Sequence, residues 1–294
     1  MKLVKKILAF GLISVMVGSF IGCSRTNEDK KIGMVLSTLN NPFFVTMKNG
    51  AEKEAERLGF KLIVLDSQND AAKERSNVED LIELGVTALL INPTDSDAVV
   101  KSIEVANNRN IPVVTLDRQS NGGYVTSHIA SDNVAGGAMA AEYILNSFEG
   151  NDTINIVELQ GISGSSATRD RGAGLHSIID NNKRFNLVSS QSADFDRQKG
   201  LQVMENIIQG NGKIDAVFAH NDEMALGAQK AIKASGLNTI VVGFDGVDDA
   251  LDAIESGDIK ATVAQQADLI GSLSVELAQK IYNSEEVESE IVAG

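Results

Sequence analysis

Cysteine is nearly absent: Cys23 is the only one in 294 residues. That excludes a disulfide framework, a C-x-x-C redox pair and a cysteine metal cluster. Proline is also scarce. Of only three prolines, Pro93 and Pro112 fall at strand boundaries, where the missing N–H does no harm. Three histidines are present, with no H-E-x-x-H, no Walker A G-K-[ST] and no G-x-S-x-G in the chain. His128 lies within a β-run and reads as structural, His176 lies on a helix, and His220 has no serine or cysteine nucleophile beside it. No enzymatic activity, metal or cofactor is expected. Positive charge is short as well, with 26 basic residues against 40 acidic. Such a surface repels phosphate backbones and argues against nucleic acid as a partner.

Long apolar runs are confined to the amino terminus. Lys2, Lys5 and Lys6 precede a weakly polar to apolar stretch from Ile7 to Ile21, which has the length of a signal-peptide h-region and is short for a membrane span. Residues 1–22 are therefore predicted to be an export signal. It ends Phe20-Ile21-Gly22-Cys23, an arrangement that resembles a bacterial lipobox, with Phe where Leu is usual three positions before the cysteine. Cys23 is the expected lipidation site, and residues 23–30, rich in charge, the tether. Without the leader the chain keeps 23 basic and 40 acidic residues, a net charge of −17.

From Lys31 onward short β-runs alternate with helical runs in the manner of βαβ units. The β-runs are Lys31 to Leu36, Lys61 to Leu65, Thr87 to Ile91, Pro112 to Leu116 and Val125 to Ala130, then Thr153 to Leu159, Phe185 to Ser189, Asp215 to Ala219, Thr239 to Phe244 and Lys260 to Ala264. Most are continuous Val/Ile/Leu runs, which suits parallel strands covered on both faces. Among the helices, Asn41 is an N-cap, Pro42 fits the first position, and Phe44, Met47, Ala51, Ala55 and Leu58 repeat at three or four before Gly59. The expected fold is α/β: two doubly wound parallel-sheet lobes joined by a hinge. One lobe would comprise residues 31–131 plus 266–294 and the other 132–265, with crossings near Ser131 and Gln265.

Ligands of open parallel sheets bind outside the carboxyl ends of the strands. The run Ile111 to Leu116 ends there in Asp117-Arg118, and Thr239 to Phe244 ends in Asp245-Gly246. Collecting strand ends and the loops after them gives Ser37, Asn41, Phe43, Phe44, Asn92, Asp117, Arg118, Arg169, Phe195, Asn221, Asp245 and Gln265. Amides, carboxylates and guanidiniums match hydroxyls that donate and accept, and phenyl rings cover the C–H faces of a sugar. Taken singly, Asn41 and Asn221 read as helix caps, Phe44 fits the core stripe better than Phe43, and Asp117 or Arg118 reads as a solvated charge. Their joint placement at corresponding strand ends in both halves points instead to a small polar ligand gripped between lobes. The loop from Gly161 to Ser166 reads as a flexible turn that delivers Arg169.

Seven segments carry a resemblance to a known family: Ser37 to Phe44 (STLNNPFF), Leu65 to Asn69 (LDSQN), Ile91 to Ala98 (INPTDSDA), Thr115 to Arg118 (TLDR), Ala193 to Arg197 (ADFDR), Asn221 to Gly227 (NDEMALG) and Val242 to Gly246 (VGFDG). The chain from Lys31 to about Ile291 resembles the periplasmic-type sugar-binding proteins of ABC importers, and their ribose-binding members in particular. The resemblance implies the periplasmic binding protein type I fold and a D-ribose or similar monosaccharide ligand. It assigns sugar hydrogen bonds to Asn41, Asp117, Arg118, Arg169, Asn221, Asp245 and Gln265, and stacking to Phe43, Phe44 and Phe195. It further implies a monomer that is exported and lipid-anchored outside the cell membrane, serves membrane permease subunits and is open to a chemoreceptor as a second partner. Allose or a furanosyl signalling molecule is the alternative ligand. The effector core of a LacI-type regulator is the alternative class, but a signal peptide occupies the place of its basic helix-turn-helix. Family members run on into a final extended segment through the hinge, whereas this sequence stops at Glu290-Ile291-Val292-Ala293-Gly294.

Overall fold

A computed structural model describes residues 30–293. The export signal, Cys23 and all but the last residue of the tether lie outside the described residues. The first sheet is built from β1 (Lys31–Leu36), β2 (Lys61–Asp66), β3 (Ala88–Ile91), β4 (Val113–Leu116), β5 (Ser127–Ala130) and β11 (Glu290–Val292), in the order β11-β5-β4-β3-β1-β2. The second holds β6 (Ile154–Gln160), β7 (Phe185–Ser192), β8 (Ala216–Ala219), β9 (Ile240–Asp245) and β10 (Ala261–Ala264), in the order β10-β9-β8-β6-β7. Every pairing is parallel. The chain passes from the first sheet to the second through Ser131 and Asp132, and returns through Gln265 and Gln266.

Both faces of each sheet are covered, which is why the central strands can be apolar on both sides. In the first lobe α1 (Pro42–Leu58) and α9 (Ala267–Tyr282) bury Ile32, Met34, Leu90 and Val114 on one face. On the other, α2 (Ala71–Glu83) and α3 (Val99–Asn108) cover Val35, Leu89, Ile91 and Val113. In the second lobe α6 (Arg197–Gly210) and α7 (Asp222–Ser235) pack over Val157, Leu159, Val217 and Val241. There α4 (Asn133–Asn146) and α5 (Ser166–Ile179) cover Ile154, Ile156, Phe218 and Phe244, while α8 (Asp248–Glu255) follows β9. Asn41 and Asn221 do cap α1 and α7, accepting from the amides of Phe43 and Met224, both at 2.9 Å.

Two elements depart from the sequence reading. β7 runs on to Ser192 because backbone pairing with Glu158 to Gln160 of β6 continues beneath polar, exposed side chains at the sheet edge. β11 was not expected. It is three residues long, pairs with His128 to Ala130 of β5, and is preceded by an acid-rich stretch that carries no strand pattern.

Each sheet has a point where strand order reverses, between β1 and β3 in the first and between β6 and β8 in the second. The crevices beyond these points face one another across the lobes, and that is where a doubly wound sheet offers a ligand site.

Candidate functional site

Between the lobes lies a narrow space lined by Asn41, Phe43, Phe44, Asp117, Arg118, Ala167, Arg171, Phe195, Asn221 and Asp245. The lining comes from the ends of β1, β4, β7, β8 and β9, from the first turn of α1 and from the first two turns of α5. Asp117 and Arg118 are each only 3% exposed and Asp245 5%, so these charges are not the solvated surface groups that single loop-end charges usually are.

Three of the lining residues sit at positive φ without being glycine: Asp117 at 61°, Phe195 at 59° and Asp245 at 128°. Such backbone persists only where its surroundings hold it, and it clusters at ligand sites. For Asp117 the restraint is visible: its amide donates to Ile129 O at 2.7 Å, and Asn92 Nδ2 reaches its Oδ2 at 3.3 Å. Asn92 is itself held by the Ser37 hydroxyl, which donates to Asn92 Oδ1 at 2.6 Å. Ser37 and Asn92 therefore stand behind the cavity and support it; neither lines it.

Arg169 departs from the sequence reading. Its guanidinium is directed to Gly164 O, Ser96 Oγ and Asn121 Oδ1, at 3.3 to 3.4 Å. It bridges the lobes at the rim and does not line the cavity. The guanidinium that does is Arg171, two residues further along α5. Its Nε donates to Asn133 Oδ1 at 2.8 Å and its Nη1 to His220 O at 2.5 Å. The plane lies 3.9 Å from the centroid of the Phe244 ring, which fixes the fork and leaves the remaining N–H groups beside Asp245, 3.5 Å away, and Asp117, 3.9 Å away. A sequence signal existed: Arg171 shares the buried stripe of α5 with Thr168, Leu175 and Ile179, and Arg169 does not.

Four charges thus alternate around the space, Asp117 and Asp245 against Arg118 and Arg171, and they sum to zero. Burial pushes the Asp245 carboxyl well above its ordinary range against the pull of Arg171. Burial likewise lowers the Arg118 guanidinium, with Asp117 opposing. Asp117 Oδ1 and Arg118 Nε, both buried, have no hydrogen-bond partner among the described residues. Gln265 donates through Nε2 to Asp245 Oδ1 at 2.8 Å, while its Oε1 has no partner; it flanks the cavity through Asp245. Such unpaired buried atoms are costly unless something else pairs with them.

Aromatic rings form the remaining walls. Phe43 and Phe44 meet edge to face at 5.3 Å between centroids. The Arg118 guanidinium carbon lies 5.2 Å from the Phe44 ring and 5.1 Å from that of Phe195, across the lobes. Gly161 is required for this wall, since a Cβ there would fall 2.1 Å from Phe195 Cζ. The turn from Gly161 to Ser166, far from delivering Arg169 to a ligand, touches the opposite lobe. Ser96 N donates to Gly164 O at 2.9 Å and Gln119 N to Ser166 Oγ at 2.8 Å. A Cβ on Gly164 would land on the Asp95 carboxylate.

Two parallel-sheet lobes with a polar, aromatic-walled space between them are the architecture of a periplasmic-type binding protein, and comparison with known proteins agrees. Residues 32–286 match the periplasmic binding protein domain family, and the chain belongs to that family. It is 51% identical over 278 residues to the ribose import binding protein of Haemophilus influenzae, covering 95% of this chain and 94% of that one. It is 52% identical to the ribose import binding protein of Bacillus subtilis, covering 92% and 87%. Among solved structures it is similar to an ABC transporter solute binding protein from Bacillus halodurans with bound myo-inositol, with TM-score 0.85, 32% identity and coverage of 92% and 94%.

Proposed function

We propose that this protein is the extracytoplasmic binding subunit of an ABC-type sugar importer and that it takes D-ribose between its lobes. The observation that carries the reading is the alternation of Asp117, Arg118, Arg171 and Asp245, neutral in sum, beside Phe43, Phe44 and Phe195. A neutral polyol uses such a set fully: hydroxyls donate to the carboxylates and accept from the guanidiniums, while the rings cover its C–H faces. A phosphate or carboxylate ligand would find no net positive charge. The ribose-import relatives at about half identity support ribose over other monosaccharides.

Both lobes contribute to the site, so the sugar favours the closed arrangement, and the closed form is what the membrane permease would receive. No chemical step is assigned to the protein. Calorimetric titration against a sugar panel tests the reading: ribose should bind at least about a hundredfold tighter than glucose, galactose or arabinose, equivalent to about 2.7 kcal/mol. A hexose must bury an unpaired hydroxyl or clash with the rings. Comparable affinity for glucose would overturn ribose as the ligand.

The location reading rests on sequence alone. Cys23, directly after the export signal, would carry the lipid anchor, and Cys23→Ala should move the protein out of the detergent phase in two-phase partitioning. Retention there would refute the anchor.

A further inference from the structure

Asp222 opens α7 one residue after the cavity-lining Asn221, yet it is absent from the cavity wall. Its carboxylate is fully buried and reaches across to the turn after β9 and to β10. Oδ2 accepts from Gly246 N at 2.7 Å and Val247 N at 3.0 Å, and Oδ1 accepts from Thr262 Oγ1 at 2.7 Å. The sheet is cut to admit it: a Cβ on Gly243 of β9 would stand 2.2 Å from Asp222 Oδ1. The amides it grips follow directly on Asp245, whose φ of 128° is succeeded by 79° at Gly246. A non-glycine residue in that conformation needs its surroundings to hold it. Thr262 lies on β10, beside Gly243 in register, and β10 leads to Gln265, the side chain that donates to Asp245 Oδ1. One carboxylate thus ties together the start of α7 with Asn221, the end of β9 with Asp245, and the strand carrying Gln265.

We propose that Asp222 is a positioning residue for ligand binding: by accepting from the Gly246 and Val247 amides and the Thr262 hydroxyl, it holds Asp245 in its strained turn with the carboxylate facing the ligand. The inference rests on the sugar-binding reading above and deepens it. Asparagine can keep the clamp, because its amide oxygen can accept from both backbone amides while its NH₂ donates to Thr262 Oγ1. Alanine leaves three donors without an acceptor and the turn unsupported.

The test is titration of D-ribose into the native protein, Asp222→Ala, Asp222→Asn and Thr262→Val, each also made on an Asp245→Ala background. If the native protein prefers another monosaccharide of the panel, that sugar replaces ribose throughout. Failure of the ribose reading therefore shows in the native protein, and failure of this inference shows in the variant ratios. Asp222→Ala should weaken binding by about tenfold or more, and Asp222→Asn by no more than about threefold. On the Asp245→Ala background the Asp222→Ala loss should shrink below about twofold, since a residue acting through the Asp245 side chain has nothing left to position. If Asp222→Ala does not fold, Thr262→Val decides, with an expected loss of about threefold that vanishes on the same background. Native-like affinity in the deciding variant, or an equal loss with and without the Asp245 carboxylate, would overturn the proposal.

Discussion

Replacing Arg171 by methionine separates the two guanidiniums of α5 most sharply. Methionine keeps much of the stem volume over Phe244 and removes the fork. Asn133 Oδ1 and His220 O lose their donors, and Asp245 and Asp117 lose the cation at 3.5 and 3.9 Å. All of this happens at a side chain 3% exposed to solvent. Breaking a buried ion pair from one side costs on the order of 3–5 kcal/mol of stability, because the remaining charges are uncompensated. Ribose affinity should fall by at least about 2 kcal/mol, roughly thirtyfold, since a charged donor to a hydroxyl is lost as well. Urea unfolding and calorimetric titration read the two effects separately. Arg171→Lys should recover part of the stability and little of the affinity, as a point charge cannot hold Asn133, the His220 carbonyl and a sugar hydroxyl together. The reasoning is refuted if Arg171→Met binds ribose like the native protein while Arg169→Met does not.

Arg169→Ala itself should cost less than about 1 kcal/mol of apparent affinity, roughly fivefold, because it removes only exposed, long contacts between closed lobes; titration checks this. Gly161→Ala should displace the Phe195 ring and weaken ribose binding by about 1–3 kcal/mol while leaving the melting temperature nearly unchanged, as Phe195 is only half buried. Burial opposes ionisation of Glu158, but the His220 hydrogen bond and charge, with Ser190 and His176, outweigh it and bring the carboxyl down to about 2. Its stabilising contribution is therefore present above the ordinary carboxylate range and lost as pH falls toward 2. Urea midpoints of the native protein and Glu158→Gln should differ most near neutrality, draw together below about pH 4.5 and converge only as pH approaches 2; a pH-independent gap would contradict this.

The sequence by itself determined the alternation of strands and helices and the parallel sheets of the two lobes. It did so because strands buried on both faces must be continuously apolar, and because Asn41 and Asn221 announce helices by cap chemistry that acts within three residues. It also placed Asp117, Arg118 and Asp245 at strand ends, where a parallel sheet exposes its ligand crevice. Tertiary structure decided which polar residues share a cavity, the apolar stripe of α5 being the one local hint. Arg169 and Arg171 are chemically identical and two positions apart, about 200° around a helix at 3.6 residues per turn, so one bridges the rim and the other faces the interlobe cavity. The support of the site was illegible for the same reason. Asp222 holds Gly246 and Thr262 from 24 and 40 residues away, and Asn92 steadies Asp117 from 25. A hydrogen bond between strand ends depends on how sheets twist and order their strands, which no local pattern records.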